Sequence, residues 1–221
     1  GDGTLLRAAR LFTPYHIPIV GINLGRLGFL VDVSPDEMDH LLKQILQGDY
    51  LAESRFLLEA RVFRGDTLLG QADAVNDVVI HVRNDIRMIE FTTYINQCFV
   101  STQRADGIII ATPTGSTAYA LSGGGPILHP ELEAVTLVPI SPHTLNNRPI
   151  VVHSNDTICI HLCENRNTDA RVSFDGQNNM NLQAGDFVEI KRKPQSLRLL
   201  HPANYDYYHI LRAKLRWNAQ P

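Results

Sequence analysis

The chain has 221 residues, 44% apolar and 19% charged, the balance of a globular protein large enough for one big domain or two smaller ones. Twenty Lys and Arg against 23 Asp and Glu give a formal charge of −3. That is too small, and of the wrong sign, for a protein built around the phosphate backbone of nucleic acid. No apolar stretch approaches the ~18 residues of a membrane helix. The opening Gly1-Asp2-Gly3-Thr4 lacks the basic-then-apolar pattern of a secretory leader. Three cysteines, Cys98, Cys159 and Cys163, are an odd number that points to a reducing compartment. A cytoplasmic protein, with neither nucleic acid nor membrane as partner, is expected.

Leu5, Ala8, Ala9 and Phe12 fall on one helical stripe, which predicts a helix from Thr4 to Phe12 stopped by Thr13-Pro14. Ile17 to Ile22 has strand length and runs into the Gly-rich stretch Asn23 to Phe29. Ser34-Pro35-Asp36-Glu37 carries the signature of a capped helix start. Met38, Leu41, Leu42, Ile45 and Leu46 then predict one buried face, closed by Gly48.

From residue 50 the period changes to two. Phe56 to Phe63 and Thr67 to Gln71 flank Arg64-Gly65-Asp66 as a hairpin. Further strands are predicted at 77–82, 88–95, 98–101, 107–111, 135–140, 150–152, 157–163, 170–174 and 187–191. These closely spaced strands predict a β-rich, sandwich-like domain. The basic run Lys191-Arg192-Lys193 reads as a solvated strand edge, and Asn204 to Trp217 returns to helical spacing.

Three segments can carry chemistry. Gly1-Asp2-Gly3-Thr4 pairs a tight glycine turn with a helix N-terminus, and the Asp2 carboxylate could accept a proton from a hydroxyl. Alone it is also an ordinary turn. Asn76-Asp77, just ahead of the apolar strand Val78-Val79-Ile80, reads as a turn that starts the strand, as an amide and a carboxylate placed to hold ribose hydroxyls, or as a carboxylate near a metal. The third segment follows Asp106-Gly107 and the apolar run Ile108-Ile109-Ile110. There Thr112-Pro113-Thr114-Gly115-Ser116-Thr117 places four hydroxyl residues in six positions, and Gly123-Gly124-Gly125 follows shortly. A strand, a hydroxyl-rich turn and a short helix bring backbone N–H groups and hydroxyls to one spot, which suits a polar ligand.

The chain has no G-x-x-x-x-G-K-[ST] and no G-x-G-x-x-G, so neither a P-loop nor an ordinary dinucleotide fingerprint is present. Cys159, His161 and Cys163 share one strand face, where lining a core is expected rather than binding zinc. No metal-ligating set is assigned.

Taken together these segments resemble the NAD kinase family in its bacterial form. The resemblance runs through Gly1-Asp2-Gly3-Thr4, Gly21 to Leu30, Asn76-Asp77, Arg104-Ala105-Asp106-Gly107, Thr112 to Tyr119 and Leu121 to Pro126. It continues through Pro139 to His143, Asn147-Arg148-Pro149 and Ser173-Phe174-Asp175-Gly176-Gln177. It implies an NAD kinase-like fold, α/β plus β. The remnant of an N-terminal α/β domain would cover residues 1–48, with 200–221 folding back onto it, and a β-rich NAD-binding domain would cover 49–199.

It also implies phosphoryl transfer from ATP to the 2′-hydroxyl of the adenosine ribose of NAD, giving NADP, with Asp2 as the catalytic general base. By the same resemblance Asp2, Gly3, Asn76, Asp77, Arg87, Arg104, Asp106, Thr117, Ala118, Tyr119, Ala120, Leu121, Ser122 and Gln177 fall at dinucleotide-binding positions. A divalent cation, Mg²⁺, is implied as ATP's companion, and a homo-oligomer, tetramer or dimer, is typical. The family motif is normally Gly-Gly-Asp-Gly with further α/β structure before it, whereas this sequence opens at the second glycine. A chain truly cut there is expected to bind dinucleotide with little kinase activity, because a misplaced catalytic group can cost ~10²-fold. A non-catalytic NAD(P)-binding module and a lipid or sphingoid kinase are the alternative readings.

Overall fold

A computed structural model describes residues 2–23, 28–31, 33–83, 88–144, 146–164 and 169–217. In chain order the elements are α1 (Asp2–Phe12), β1 (Ile19–Val20), α2 (Met38–Gln47), β2 (Leu51–Arg64), β3 (Thr67–Ala74), β4 (Asp77–Val82), β5 (Ile89–Ile95), β6 (Cys98–Ala105) and β7 (Gly107–Ala111). They continue with α3 (Tyr119–Ser122), β8 (Ala134–Ile140), β9 (Ile150–His153), β10 (Ile158–Leu162), β11 (Ala170–Phe174), β12 (Asn178–Leu182), β13 (Asp186–His201) and α4 (Tyr207–Leu215). Two compact bodies result: Gly1–Arg55 with Gln195–Pro221, and Phe56–Pro194.

In the first body α1 buries Leu5, Leu6 and Ala9, and Ile19 and Val20 of β1 pair in parallel with Leu199 and Leu200. Helix α1 begins at Asp2 rather than at the expected Thr4, so Gly3 lies in its first turn. An acidic residue there faces the positive end of the helix dipole, which favours the earlier start. Ahead of α2, Glu37 reaches back to the Ser34 N–H at 3.3 Å and to its hydroxyl at 2.7 Å, as the capping signature predicts.

The five-residue buried face expected of α2 is not found. Leu41 is its one buried residue, while Leu42 is 39% and Leu46 88% exposed. The described part of this body covers one line along the helix, not the full stripe. Near the chain's other end, His201 stacks on Tyr205 and its Nε2 lies 3.2 Å from Glu53, which also holds Arg55 at 2.7 Å. Asp206 caps α4 by accepting the Tyr208 N–H.

The second body is a two-layer sandwich. One sheet has the order β3-β2-β13-β10-β5-β6 and the other β12-β11-β4-β7-β8-β9. Alternate residues of the inner strands point into a shared core, among them Leu58, Ala60 and Val62 of β2, Val78 and Ile80 of β4, Ile108 and Ile110 of β7, and Ile158 and Ile160 of β10. Strand β7 is buried on both faces, because Ile109 and Ala111 pack on its outer side with Val79, Val138 and Ala120 of α3. That explains why Gly107 to Ala111 reads as a continuous apolar run rather than an alternation. Arg64 clamps the fully buried Asp186 with two hydrogen bonds of 2.7 and 3.0 Å, joining the end of β2 to the start of β13. Replacing one partner of such a buried pair would strand the other charge.

Two expectations are corrected here. Lys191-Arg192-Lys193 is a solvated strand edge only in part: it lies past Ile190, where the pairing of β13 with β10 ends, and Lys191 is exposed, but Arg192 and Lys193 are half-buried. Lys193 pairs with Asp73, and Arg192 bonds Glu133 at 2.7 Å and Ser154 at 3.1 Å with its guanidinium over the Phe56 ring. Long basic side chains tolerate such a position because their stems pack while their heads reach acids. Strand β12, with the sequence Asn-Asn-Met-Asn-Leu, has no counterpart among the predicted strands, because Asn is depleted in strands. It forms because the Asp175-Gly176 turn, with φ of 50° and 64°, folds it back onto β11.

Candidate functional site

At one end of the second sheet, three segments distant in sequence meet. Asn76-Asp77 leads into β4, Thr112 follows β7, and Asp175 follows β11, with β4 pairing to both β7 and β11. The Asp175 carboxylate accepts the backbone N–H of Val75 at 3.1 Å, of Asn76 at 2.7 Å and of Asp77 at 3.3 Å. The carbonyls of the same three residues are taken up as well. Val75 accepts the Thr112 hydroxyl at 2.6 Å, Asn76 accepts the Thr112 N–H at 2.9 Å, and Asp77 accepts the Asp175 N–H at 3.0 Å. Two residues thus satisfy all six main-chain polar groups of Val75, Asn76 and Asp77. Among the described residues the Asn76 and Asp77 side chains make no hydrogen bond of their own.

Asp77 is only 5% exposed. Burial first, and the negative charge of Asp175 second, push its carboxyl up to about 7. A carboxylate poised between protonation states at neutral pH suits the recognition of hydroxyls, since its ionised form accepts hydrogen bonds strongly.

The turn after β7 is built by its hydroxyls. Thr112 Oγ1 accepts the Gly115 N–H, and Ser116 Oγ donates to the Pro113 carbonyl at 2.6 Å and accepts the Leu128 N–H at 3.0 Å. Gly115 is required by close approach: a Cβ there would stand 2.1 Å from the Asn76 oxygen and 2.5 Å from its carbonyl carbon. Because backbone cannot yield as a side chain does, Gly115→Ala should cost ~1–3 kcal/mol in urea unfolding.

The remaining sequence candidates divide by position. Thr117 donates to the Thr114 carbonyl at 3.2 Å, at the end of the turn. Tyr119 stands 47% exposed at the start of α3, and Ser122 is exposed at its end. Ala118 and Leu121 are partly exposed on the same segment, while the Ala120 side chain is consumed by the small cluster under β7. Gln177 lies on the Asp175 turn, its N–H on the Phe174 carbonyl.

Arg104 and Asp106 do not join this group. Gly107 pairs with His81 at the far end of β4, whereas Ala111 pairs with Asp77. At roughly 3.3 Å per residue, Asp106 and Thr112 are set about 20 Å apart. There the Arg104 carbonyl accepts the His143 N–H. Arg87 lies outside the described residues. In the other body the Asp2 carboxylate accepts the N–H of Phe29 at 3.1 Å and of Leu30 at 3.4 Å, and a Cβ on Gly28 would stand 2.1 Å from it. Gly3 is in the first turn of the same helix.

Asp175, Thr112, Gly115 and Ser116 are the residues that reasoning from sequence did not assign to the site. In the sequence Asp175-Gly176 stands only within a stretch that carries the family resemblance, and Thr112 within a hydroxyl cluster. That the two grip the same tripeptide depends on strand pairing. Cys159, His161 and Cys163 do not line the core as expected: Ile158, Ile160 and Leu162 of β10 face it, and the three stand half-buried on the opposite face, where the His161 ring stacks on Phe187 at 4.8 Å and meets Tyr94 edge-on at 5.2 Å. Burial holds the Cys159 thiol above its ordinary range and the His161 imidazole below its own.

Comparison with known proteins places the chain in a family. Residues 1–50 match the ATP-NAD kinase N-terminal domain and residues 75–201 the ATP-NAD kinase C-terminal domain. The NAD kinase of Pseudomonas putida (strain GB-1) is 51% identical over 220 residues, covering 100% of this chain and 74% of that protein. That of Pseudomonas aeruginosa (strain LESB58) is 52% identical, with 75% of its length covered. Among solved structures, yeast NADH kinase complexed with NADH superposes with a TM-score of 0.92 at 27% identity, over 100% of this chain and 65% of that one. An NAD kinase from Archaeoglobus fulgidus in complex with ATP gives 0.78 at 31%, over 98% and 80%. The chain therefore belongs to the NAD kinase family.

Proposed function

We propose that this protein transfers the γ-phosphoryl group of ATP to the 2′-hydroxyl of the adenosine ribose of NAD, forming NADP. The observation that carries this is the Asn76-Asp77 pair, an amide and a carboxylate with their own backbone fully satisfied and both side chains left for a ligand's hydroxyls. In this reading Asn76 and Asp77 hold ribose, and the Thr117 to Ser122 segment with Tyr119 flanks the base. Asp2 takes the proton from the attacking hydroxyl. Phosphoryl transfer passes through a loose transition state, so positioning the acceptor and neutralising charge supply most of the catalysis.

Mg²⁺ usually enters such reactions on one or two carboxylates together with substrate phosphates. In this reading the ion accompanies ATP. A dimer or tetramer would let Arg104 and Asp106, at the far end of β7, serve a dinucleotide held by a neighbouring copy. No helix among the described residues is long and apolar enough to cross a membrane, and the three unpaired cysteines support a cytoplasmic setting.

The test is a coupled assay for NADP with NAD, ATP and Mg²⁺, alongside a binding titration with NAD. NADP formation that requires ATP is expected. NAD binding without NADP in the native protein would replace the kinase reading with a non-catalytic module.

A further inference from the structure

We infer that Asp175 is a positioning residue of the dinucleotide site, acting as a clamp that fixes the backbone of Val75, Asn76 and Asp77 so that the Asn76 and Asp77 side chains face the ligand. The inference deepens the NAD-binding reading and rests on it. One carboxylate gathers three successive N–H groups at 2.7–3.3 Å, and the Asp175 N–H returns a fourth bond to the Asp77 carbonyl. Such a convergence is not needed to close a hairpin: the β11–β12 turn is already closed by the Gln177 N–H on the Phe174 carbonyl. Asp175 also sits at a φ of 50°, a left-handed conformation that Asp and Asn accept more readily than most residues.

The clamp has an electrostatic consequence. After burial, the charge of Asp175 raises the pKa of the buried Asp77. Asp175 therefore sets both where Asp77 points and at what pH it becomes an acceptor.

Asp175→Asn tests this, because Asn keeps the shape and the left-handed backbone but turns an N–H donor toward at least one of the three amides. NAD binding and NAD kinetics are followed from pH 5.5 to 8.5 in the native protein and the variant, with melting temperature as a control. At pH 8.5 KM for NAD should rise at least tenfold with KM for ATP unchanged. The acid limb of NAD binding should move to lower pH. Asp175→Gly, which accepts positive φ without strain, should give the same two changes, and it carries the test if the Asn variant folds poorly. A lower melting temperature with NAD affinity and pH profile unaltered would overturn the clamp alone. A native protein that binds no NAD would overturn the dinucleotide reading and the clamp with it.

Discussion

Asp2→Asn should lower kcat by ~10²- to 10⁴-fold, the range typical of losing a general base, while NAD affinity stays within a few-fold of the native protein. The Asp2 carboxylate is oriented by two main-chain donors, Phe29 at 3.1 Å and Leu30 at 3.4 Å, rather than by a neighbouring charge. Asn has the same volume beside Gly28 and keeps an acceptor for the shorter of the two bonds, from the Phe29 N–H, while its NH2 group faces the longer 3.4 Å Leu30 contact and can take no proton. Steady-state rates with a binding titration and a melting curve separate the outcomes. Turnover within a few-fold of the native protein would remove Asp2 from the chemistry. A fall in melting temperature matched by weaker NAD binding would make it a structural anchor for the 29–30 backbone instead.

How much of this was legible in the sequence depends on the range of the interactions involved. Strands β4, β7 and β11 were readable because burial imposes a period of two, or a continuous apolar run where both faces are covered. The hydroxyl-rich turn was readable because its bonds are local: Thr112 to Gly115, Ser116 to Pro113 and Thr117 to Thr114 each span three residues. The clamp was not, because Asp175 reaches its three partners across 98 to 100 residues and nothing in its own neighbourhood marks that reach. Arg104 and Asp106 show the opposite failure. They lie close to Thr112 in sequence, yet an extended strand between them carries them to the far end of the sheet. Spacing along a chain predicts proximity within a turn or a helix, and predicts distance along a strand.

Asp77→Asn should raise stability at alkaline pH while impairing NAD binding. The folded protein pushes the Asp77 carboxyl up to about 7 from an unfolded value near 3.8, by burial first and by Asp175 second. A raised folded pKa means that the native state holds the proton more tightly than the unfolded chain. The wild-type protein should thus be most stable, as far as this group is concerned, at about pH 4 and below. Stability is lost between about pH 4 and 7, where the unfolded chain has ionised and the folded group has not, and levels off above 7 once both have. At ~1.4 kcal/mol per unit the whole penalty is up to about 4 kcal/mol. Asn escapes it, so denaturant unfolding should find the variant more stable at pH 8.5, with the difference shrinking to about 1 kcal/mol at pH 4.5. Equal stabilities at pH 8.5 would show that Asp77 ionises without cost in the folded protein. The same linkage governs binding. If ribose hydroxyls donate to the ionised carboxylate, NAD pulls the Asp77 pKa down, and binding near pH 7 releases protons in wild type but not in Asp77→Asn. Calorimetry in two buffers of different ionisation enthalpy measures that release, and NAD affinity at pH 8.5 should fall at least tenfold in the variant. Unchanged affinity and equal proton release would show that the pair at the head of β4 does not hold the ribose.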